Sequence, residues 1–183
     1  MIGLPKGTVQ VVQYQSCWPE LFRLEATRIR AGLSYSVGPI EHVGSTAVPG
    51  MSAKPIIDII IAVESLRTAH TLIPSFQQLG YEHRPNDLIP DRLFLVLGPA
   101  TCRTHHLSLA EEGSKFWHEH LSFRDHLRTS QTTAADYSAL KARLAAQFPN
   151  DRPSYTSNKD AFIADILFAI TRAASSVTGL RTQ

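Results

Sequence analysis

The chain has 183 residues, a net charge of +2 and 43% hydrophobic residues, which is typical of a globular protein large enough to bury a core. Its basic residues are scattered rather than grouped in blocks, which argues against nucleic acid as a partner. Residues 1–15 lack the apolar segment of a signal peptide, and no apolar run reaches membrane-spanning length. Cys17 and Cys102 lack metal-type spacing and are interpreted as reduced packing residues. We therefore expect a single cytoplasmic domain over residues 1–183, with no membrane partner.

Hydrophobic periodicity predicts helices and strands in a mixed order. The predicted elements are a helix from Pro19 to near Gly32, strands at Ile40–Val43 and Ile56–Val63, a helix at Leu66–Leu79, strands at Leu93–Leu97 and Arg103–Leu109, and three helices at Ser114–Arg128, around Tyr137 to Phe148, and at Tyr155–Ser175. This order indicates a mixed α/β or α+β fold. We expect a small mixed sheet flanked by helices, with a helical C-terminal portion.

One carboxylate, Asp58, interrupts the apolar run of the second strand. The run is otherwise rich in isoleucine, as expected for a strand buried on both faces. Burying an ionised carboxylate without a partner is costly, so Asp58 needs a cation, hydrogen-bond donors or a position facing a cleft. We predict that the Asp58 carboxylate faces a cleft. The alternative is a buried Asp58 held by backbone amides or by Lys54.

The segment GSTAVPG, which begins at Gly44, supplies a hydroxyl between exposed backbone amides. Such a turn can bind a phosphate through its N–H groups, although the P-loop pattern is absent. The alternative is a strand-to-helix turn in which Ser45 and Thr46 only cap. Lys54 precedes Pro55, and it is either a phosphate-binding residue or a solvated loop lysine.

A second polar group follows Arg103 in the predicted strand that contains two consecutive histidines. Alternation places His106 and Ser108 on one face and His105 with the leucines on the other. We expect His106 to lie beside Asp58 and to face the same cleft. Two histidines without a third spaced ligand are a weak metal signature.

The helical C-terminal third offers fewer candidates. His118 and His120 are two residues apart on a helix, so they cannot share a face, and we interpret them as surface residues. The group Arg124, Asp125 and Arg128 is interpreted as a solvated helix face with weak local ion pairs. The alternative is that one of the two arginines faces a cleft. Tyr155 and Lys159 are spaced i, i+4 and would project together from the last helix, which on spacing alone favours a surface pair.

Five strings in this chain, HVGSTAVPG, AKPIIDI, RTHHL, FRDHLR and a Tyr-x-x-x-Lys helix after FP, together resemble the GrpB family. The resemblance extends from about Trp18 to the last helix. It implies a fold like that of the nucleotidyltransferase superfamily. In that superfamily a Gly-Ser turn is followed by a pair of carboxylates on one strand and a third carboxylate on a later strand.

The superfamily pattern maps onto this chain only in part. Gly44 and Ser45 match the turn, and twelve residues separate Ser45 from Asp58. The second carboxylate position is Ile60, and the later strand has His106 in place of a carboxylate. Ser108 stands where GrpB relatives commonly have a second histidine. These departures leave one Asp and one His, which could hold at most a single, weakly ligated ion.

The resemblance implies two functions of different classes. The first is nucleotidyl or phosphoryl transfer to an acceptor, with Asp58 and His106 as catalytic residues that bind Mg²⁺ or Mn²⁺, and a nucleoside triphosphate as cosubstrate. The second is a non-catalytic module that binds a nucleotide or a CoA-like ligand. Both imply a small phosphate-bearing partner, bound by Gly44, Ser45, Thr46, Lys54, Arg103 and Lys159. Lys159 is included because the Tyr-x-x-x-Lys pair recurs in the family pattern.

Overall fold

The computed structural model describes residues 2–33, 37–87 and 89–179. Its helices are α1 (Trp18–Gly32), α2 (Leu66–Ala69), α3 (Ile73–Gln78), α4 (Lys115–Thr129), α5 (Gln131–Gln147), α6 (Arg152–Ser157) and α7 (Asp160–Gly179), and its strands are β1 (Ile40–Val43), β2 (Ile57–Val63), β3 (Tyr81–His83), β4 (Leu93–Leu97) and β5 (His105–Glu111). Short 3₁₀ helices follow β1, at Ser45–Ala47, and α2, at His70–Leu72. The mixed α/β class predicted from the sequence is confirmed.

The five strands form one mixed sheet in the order β1-β2-β5-β4-β3. β2 and β5 are parallel, and the other neighbouring pairs are antiparallel. In the β2–β5 register Asp58 lies directly opposite His106. Because side chains alternate along a strand, this register fixes which residues of the two central strands share a face.

The first face of the sheet, here called the core face, is covered by α1, α2 and α3. Its central residues, among them Ile57, Ile59 and Leu107, are fully buried, and they pack against Trp18 and Phe76 of the helices. His105 lies on this face, where its Nδ1 is 2.9 Å from the Thr104 hydroxyl. The predicted separation of His105 from His106 is therefore confirmed.

The opposite face, here called the cleft face, is only partly covered. Phe116 and Trp117 of α4 pack on Ile60 and Ala110 of the sheet. The neighbouring part of this face carries Asp58 together with polar residues of β5. Helices α4 to α7 rise around that part and leave an open space above it.

Two predicted helices are interrupted. The Leu66–Leu79 prediction corresponds to α2, a 3₁₀ turn and α3, because Pro74 has no N–H to donate to the carbonyl of His70. The Tyr155–Ser175 prediction corresponds to α6 and α7. The break lies at Asn158, whose side-chain amide donates to the Ser154 carbonyl at 2.8 Å and competes with the helical pattern.

Two further boundaries differ from the prediction. The N-cap of α6 is Asp151, whose carboxylate accepts from the Ser154 N–H at 3.1 Å, so this helix begins three residues before the predicted Tyr155. The short edge strand β3 was not predicted, since three residues carry too little periodicity. Within the described ranges, no helix combines the length and apolar character needed to cross a bilayer.

Candidate functional site

The space above the cleft face forms a cleft of about 330 Å³, a volume within the range of small-molecule sites. Its floor is made by β2, β4 and β5, and its walls are α4 to α7 and the segment after β1. Apolar and charged side chains both line it. The lining residues predicted from the sequence are Gly44, Ser45, Thr46, Lys54, Asp58, His106 and Lys159.

The turn after β1 is pressed against Asp58. Gly44 has a φ of 69°, a conformation that favours glycine, and a Cβ at this position would lie 2.5 Å from Asp58 Oδ2. The hydroxyl of the next residue but one, Thr46, lies 3.0 Å from His42 Nε2 and 3.3 Å from the Ile56 carbonyl oxygen. Thr46 therefore anchors the turn through its side chain, while Ser45 points its hydroxyl towards the helical wall.

Asp58 and His106 form a pair on the cleft floor. The Asp58 side chain is 39% exposed, whereas that of His106 is 9% exposed, and their Oδ1 and Nδ1 atoms are 2.9 Å apart. Burial opposes ionisation of Asp58, but the hydrogen bond from His106 and the charges of Lys54 and Arg152 outweigh it and lower the pKa of the carboxyl group. Burial lowers the pKa of His106 despite Asp58. We infer a neutral imidazole that donates its Nδ1–H to a carboxylate.

Three cations, here called the cation cluster, face this carboxylate: Lys54, Arg152 and Lys159. The ammonium groups of Lys54 and Lys159 lie 5.5 Å and 4.4 Å from the centroid of the Tyr155 ring. Among the residues that the structure describes, no carboxylate forms an ion pair with any of the three. Burial, with the charge of Arg152, lowers the pKa of Lys54 to about 8. One carboxylate, Asp58, faces three cations, so a further anion in the cleft would stabilise the cluster.

Lys141 of α5 is the most deeply buried charged residue of the site, with 2% exposure. Its Nζ lies 2.8 Å from Ser45 Oγ and 2.5 Å from the Ser52 carbonyl oxygen. It also lies 4.9 Å from the centroid of the Tyr137 ring. Burial, followed by the charges of Lys159 and Lys54, lowers the pKa of Lys141 to about 7. Sequence reasoning missed it, although a lysine between Tyr137 and Leu144 on an apolar helix stripe was a usable signal.

Two further charged residues of the cleft, Arg92 and Glu119, have ion-pair partners. Arg92 forms two hydrogen bonds with Asp87, at 2.7 and 2.9 Å, and lies over the Phe94 ring at 4.2 Å. Glu119, a second carboxylate of the lining, lies 3.7 Å from Lys115. These residues shape the cleft, but their charges are already compensated.

Comparison with known proteins places the chain in a family. The family model described as "GrpB protein" matches residues 8–168. The chain belongs to the GrpB family. It is 36% identical over 172 residues to the "Glutamate-rich protein GrpB" of Alkalihalophilus pseudofirmus, covering 91% of this chain and 98% of that one. It is also 36% identical over 178 residues to a UPF0157 protein of Pseudomonas aeruginosa, covering 94% and 73%.

A solved structure supports the same assignment. The crystal structure of the conserved protein GrpB from Enterococcus faecalis superposes with a TM-score of 0.81 at 34% identity, and the match covers 90% of this chain and 99% of that one. The GrpB resemblance predicted from the sequence motifs is thus confirmed.

Two predictions about this GrpB chain need correction in helix α4. Arg124 is buried rather than solvated: it donates to Glu41 at 2.6 Å and to the His42 carbonyl at 3.1 Å, and so ties α4 to β1. His120 lines the cleft rather than the surface, and its Nδ1 lies 2.8 Å from the Phe116 carbonyl oxygen. Helical spacing alone could not show which face of α4 the sheet would cover.

Arg103 is the one predicted phosphate-binding residue that does not line the cleft. It lines an adjoining depression that also contains Lys6 and that shares His106 and Arg152 with the cleft. Its guanidinium donates to Glu82 and to the Gly98 carbonyl. The reason is its position before β5, where it pairs with Leu4 in an isolated bridge. Its side chain therefore reaches the β3–β4 edge of the sheet instead of Asp58.

The ligand set does not fit the two-ion centre of nucleotidyl transfer. Mg²⁺ and Mn²⁺ prefer oxygen ligands, and two ions need shared carboxylates. Ile60 is buried at the second carboxylate position, and His106 has one ring nitrogen bonded to Asp58 and the other buried without a partner. No group of three or more His, Cys, Asp or Glu side chains in the described parts of the chain could hold a metal. A single ion at Asp58 and His106 stays a prediction.

Proposed function

We propose that this GrpB-family protein binds a small phosphorylated molecule, such as a nucleotide, in the cleft. The observation that carries the proposal is the cation cluster, in which Lys54, Arg152 and Lys159 converge without ion-pair partners among the described residues. Charge-assisted hydrogen bonds from lysine and arginine are the usual means of phosphate recognition. Gly44 and Ser45 line the same cleft, and the backbone amides of this turn would add further donors.

The lining favours a ligand larger than inorganic phosphate. Beyond the charged groups, the cleft is lined by apolar side chains from α4 and α7, including Phe123, Ile163 and Leu167. Most ligand sites combine such apolar walls with a few polar groups that orient the ligand. A nucleoside or a comparable organic group attached to the phosphate would bury this apolar surface.

Metal-dependent nucleotidyl or phosphoryl transfer is the second candidate. It is favoured by Asp58, an ionised carboxylate that lies on the cleft floor against the Gly44 turn. The superfamily pattern has a second carboxylate on β2 at the position of Ile60, and its absence here weighs against catalysis. We therefore rank ligand binding first. The nucleotidyltransferase-like ancestry implied by the motifs is compatible with either function.

Calorimetric titration with ATP and with pyrophosphate tests the proposal. We expect Lys54→Ala, Arg152→Ala and Lys159→Ala each to weaken binding roughly tenfold or more, since a hydrogen bond to a charged group contributes about 1.5–3 kcal/mol. Arg143→Ala is the matched control, because it removes one positive charge from the exposed side of α5. Equal affinity in all five proteins, or no binding of either anion by the wild type, would contradict the proposal.

Repeating the ATP titration with Mg²⁺, Mn²⁺ or EDTA separates the two candidate functions. Binding that is independent of metal supports the binding module. Binding that requires a divalent ion supports the transfer enzyme, because metal coordination by Asp58 would then be part of recognition.

A further inference from the structure

We infer that Ser45 is a nucleophile and that Lys141 is its general base. The inference goes beyond ligand binding and assigns the cleft a covalent step on an activated phosphate. Ser45 Oγ and Lys141 Nζ are 2.8 Å apart, within the reach required for proton transfer. Both residues line the cleft.

The surroundings of Lys141 hold the amine in the orientation of a base. The Ser52 carbonyl oxygen, 2.5 Å from Nζ, can only accept a hydrogen bond, so it fixes one hydrogen of the amine. A neutral amine held in this way can direct its lone pair at the Ser45 hydroxyl, 2.8 Å away. A nucleophile, a base and a third group that orients the base form the arrangement shared by serine hydrolases and Ser-Lys enzymes.

A lysine in water is protonated at neutral pH and could not act as a base, but burial favours the neutral form of Lys141. Lys141 is 2% exposed and its polar contacts are neutral, so the charged form is poorly compensated in the protein. Lys54 and Lys159 repel its charge further, and the pKa of Lys141 falls to about 7. A substantial fraction of Lys141 is therefore unprotonated near neutral pH, as a general base must be.

The step is balanced without a cofactor. The Ser45 hydroxyl proton moves to Lys141 Nζ while Oγ forms a bond to phosphorus, and the bond from phosphorus to the leaving oxygen breaks with its electron pair. The expected substrate class is a phosphoric anhydride, whose leaving group is a stable phosphate anion. Lys54 and Arg152 line the same cleft and would stabilise the charge on the phosphoryl oxygens.

Diisopropyl fluorophosphate tests the dyad directly, because it phosphorylates activated serines with loss of fluoride and carries no charge. We expect intact-mass and peptide analysis of the wild type to show one diisopropylphosphoryl group, on Ser45. Ser45→Ala should remove it. Lys141→Met and Lys141→Arg should slow labelling about a hundredfold or more, since general-base catalysis contributes roughly 10²–10⁴-fold.

Matched controls separate this inference from the proposed function. Ser157→Ala removes an exposed serine that does not line the cleft, so its labelling should equal that of the wild type. A wild-type protein that is labelled on Ser45 but binds neither ATP nor pyrophosphate would overturn only the proposed function. A wild-type protein that binds ATP but is not labelled would overturn only the dyad.

The pH profile gives a readout that a merely structural lysine would not produce. The labelling rate should rise as pH increases through about 7, where Lys141 loses its proton. In Lys54→Ala the midpoint should move upward, because Lys54 lowers the pKa of Lys141; Lys159 also faces Lys141 and remains in place. No labelling of the wild type, or equal labelling of Lys141→Met, would overturn the inference.

Discussion

Lys141 is a lysine buried among apolar side chains, and this burial is costly for a charged amine. It occupies the apolar stripe of α5 between Tyr137 and Leu144, both of which are buried. An apolar residue there would avoid the desolvation of an amine, so its presence is difficult to explain by stability alone. Its contacts with Ser45 and Ser52 instead connect α5 to the turn beside Asp58.

The burial of Lys141 predicts how stability depends on pH. An unfolded lysine holds its proton up to pH 10.5, whereas folded Lys141 releases it at about 7. Between these values the unfolded state binds more protons, so the free energy of unfolding rises with pH, by at most about 1.4 kcal/mol per pH unit. Lys141→Met should lose this contribution and gain stability most clearly below pH 7.

Urea denaturation of wild type and Lys141→Met across this pH range measures the difference. Lys54 contributes in the same direction in both proteins, because its pKa is also lowered, to about 8, and it therefore cancels in the comparison. Parallel curves for the two proteins would mean that Lys141 stays protonated when folded, which would also remove the basis for the serine–lysine dyad.

At the level of elements, the segment between β1 and β2 depends on one glycine. Gly44→Ala would place a Cβ 2.5 Å from Asp58 Oδ2 in a backbone with φ of 69°, so the turn must move away from the floor. Gly50→Ala is a matched control, because Gly50 also has a positive φ, 78°, but nothing lies within 4 Å of its Cβ position. We expect both variants to lose about 1 kcal/mol to backbone strain.

The difference between these two glycine variants isolates the contact with Asp58. Gly44→Ala should lose additional stability and should bind ATP more weakly than Gly50→Ala. Thermal unfolding and calorimetry provide the two measurements. Identical behaviour of the two variants would show that the turn tolerates a displacement from Asp58 and that its close approach has no function.

The elements also show how far the sequence could predict the site. Strict alternation in β5 and the apolar run of β2 were sufficient to predict that His106 shares a face with Asp58, since period-two patterns specify faces. The parallel register that sets them 2.9 Å apart was not encoded in either strand alone. It depends on the long-range pairing of segments about fifty residues apart, which local patterns do not specify.

The contributions of the helices were harder to predict. Arg152 lies at the start of a six-residue helix, and Lys141 lies on a helix whose polar and apolar faces are weakly separated. Helical spacing gives relative positions along one element but not which face the sheet covers. Lys159 was predicted from the family pattern rather than from its spacing, whereas Arg103 was placed in the cleft for its charge and lies outside it.

Across the whole molecule, one face of the sheet forms the main apolar core, and the other forms the floor of the proposed binding site. The core face holds the largest apolar cluster, formed with α1, α2 and α3, while the cleft face exposes the polar residues of the central strands. Adjacent residues of one strand therefore belong to different environments. On β2, Ile57 is fully buried in the apolar core, and Asp58 faces the cation cluster.

Substitutions at these two neighbouring positions should change different properties, namely stability at the first and ligand affinity at the second. Ile57→Ala removes buried apolar volume and should lower the free energy of unfolding by about 2–5 kcal/mol, with unchanged ATP affinity in the folded protein. Asp58→Asn keeps the side-chain shape but removes the negative charge closest to a bound phosphate, so metal-free ATP binding should tighten several-fold. Denaturation and calorimetry in EDTA measure both. Weaker metal-free binding by Asp58→Asn would show that the phosphate does not lie near this carboxylate, and would place the ligand elsewhere in the cleft.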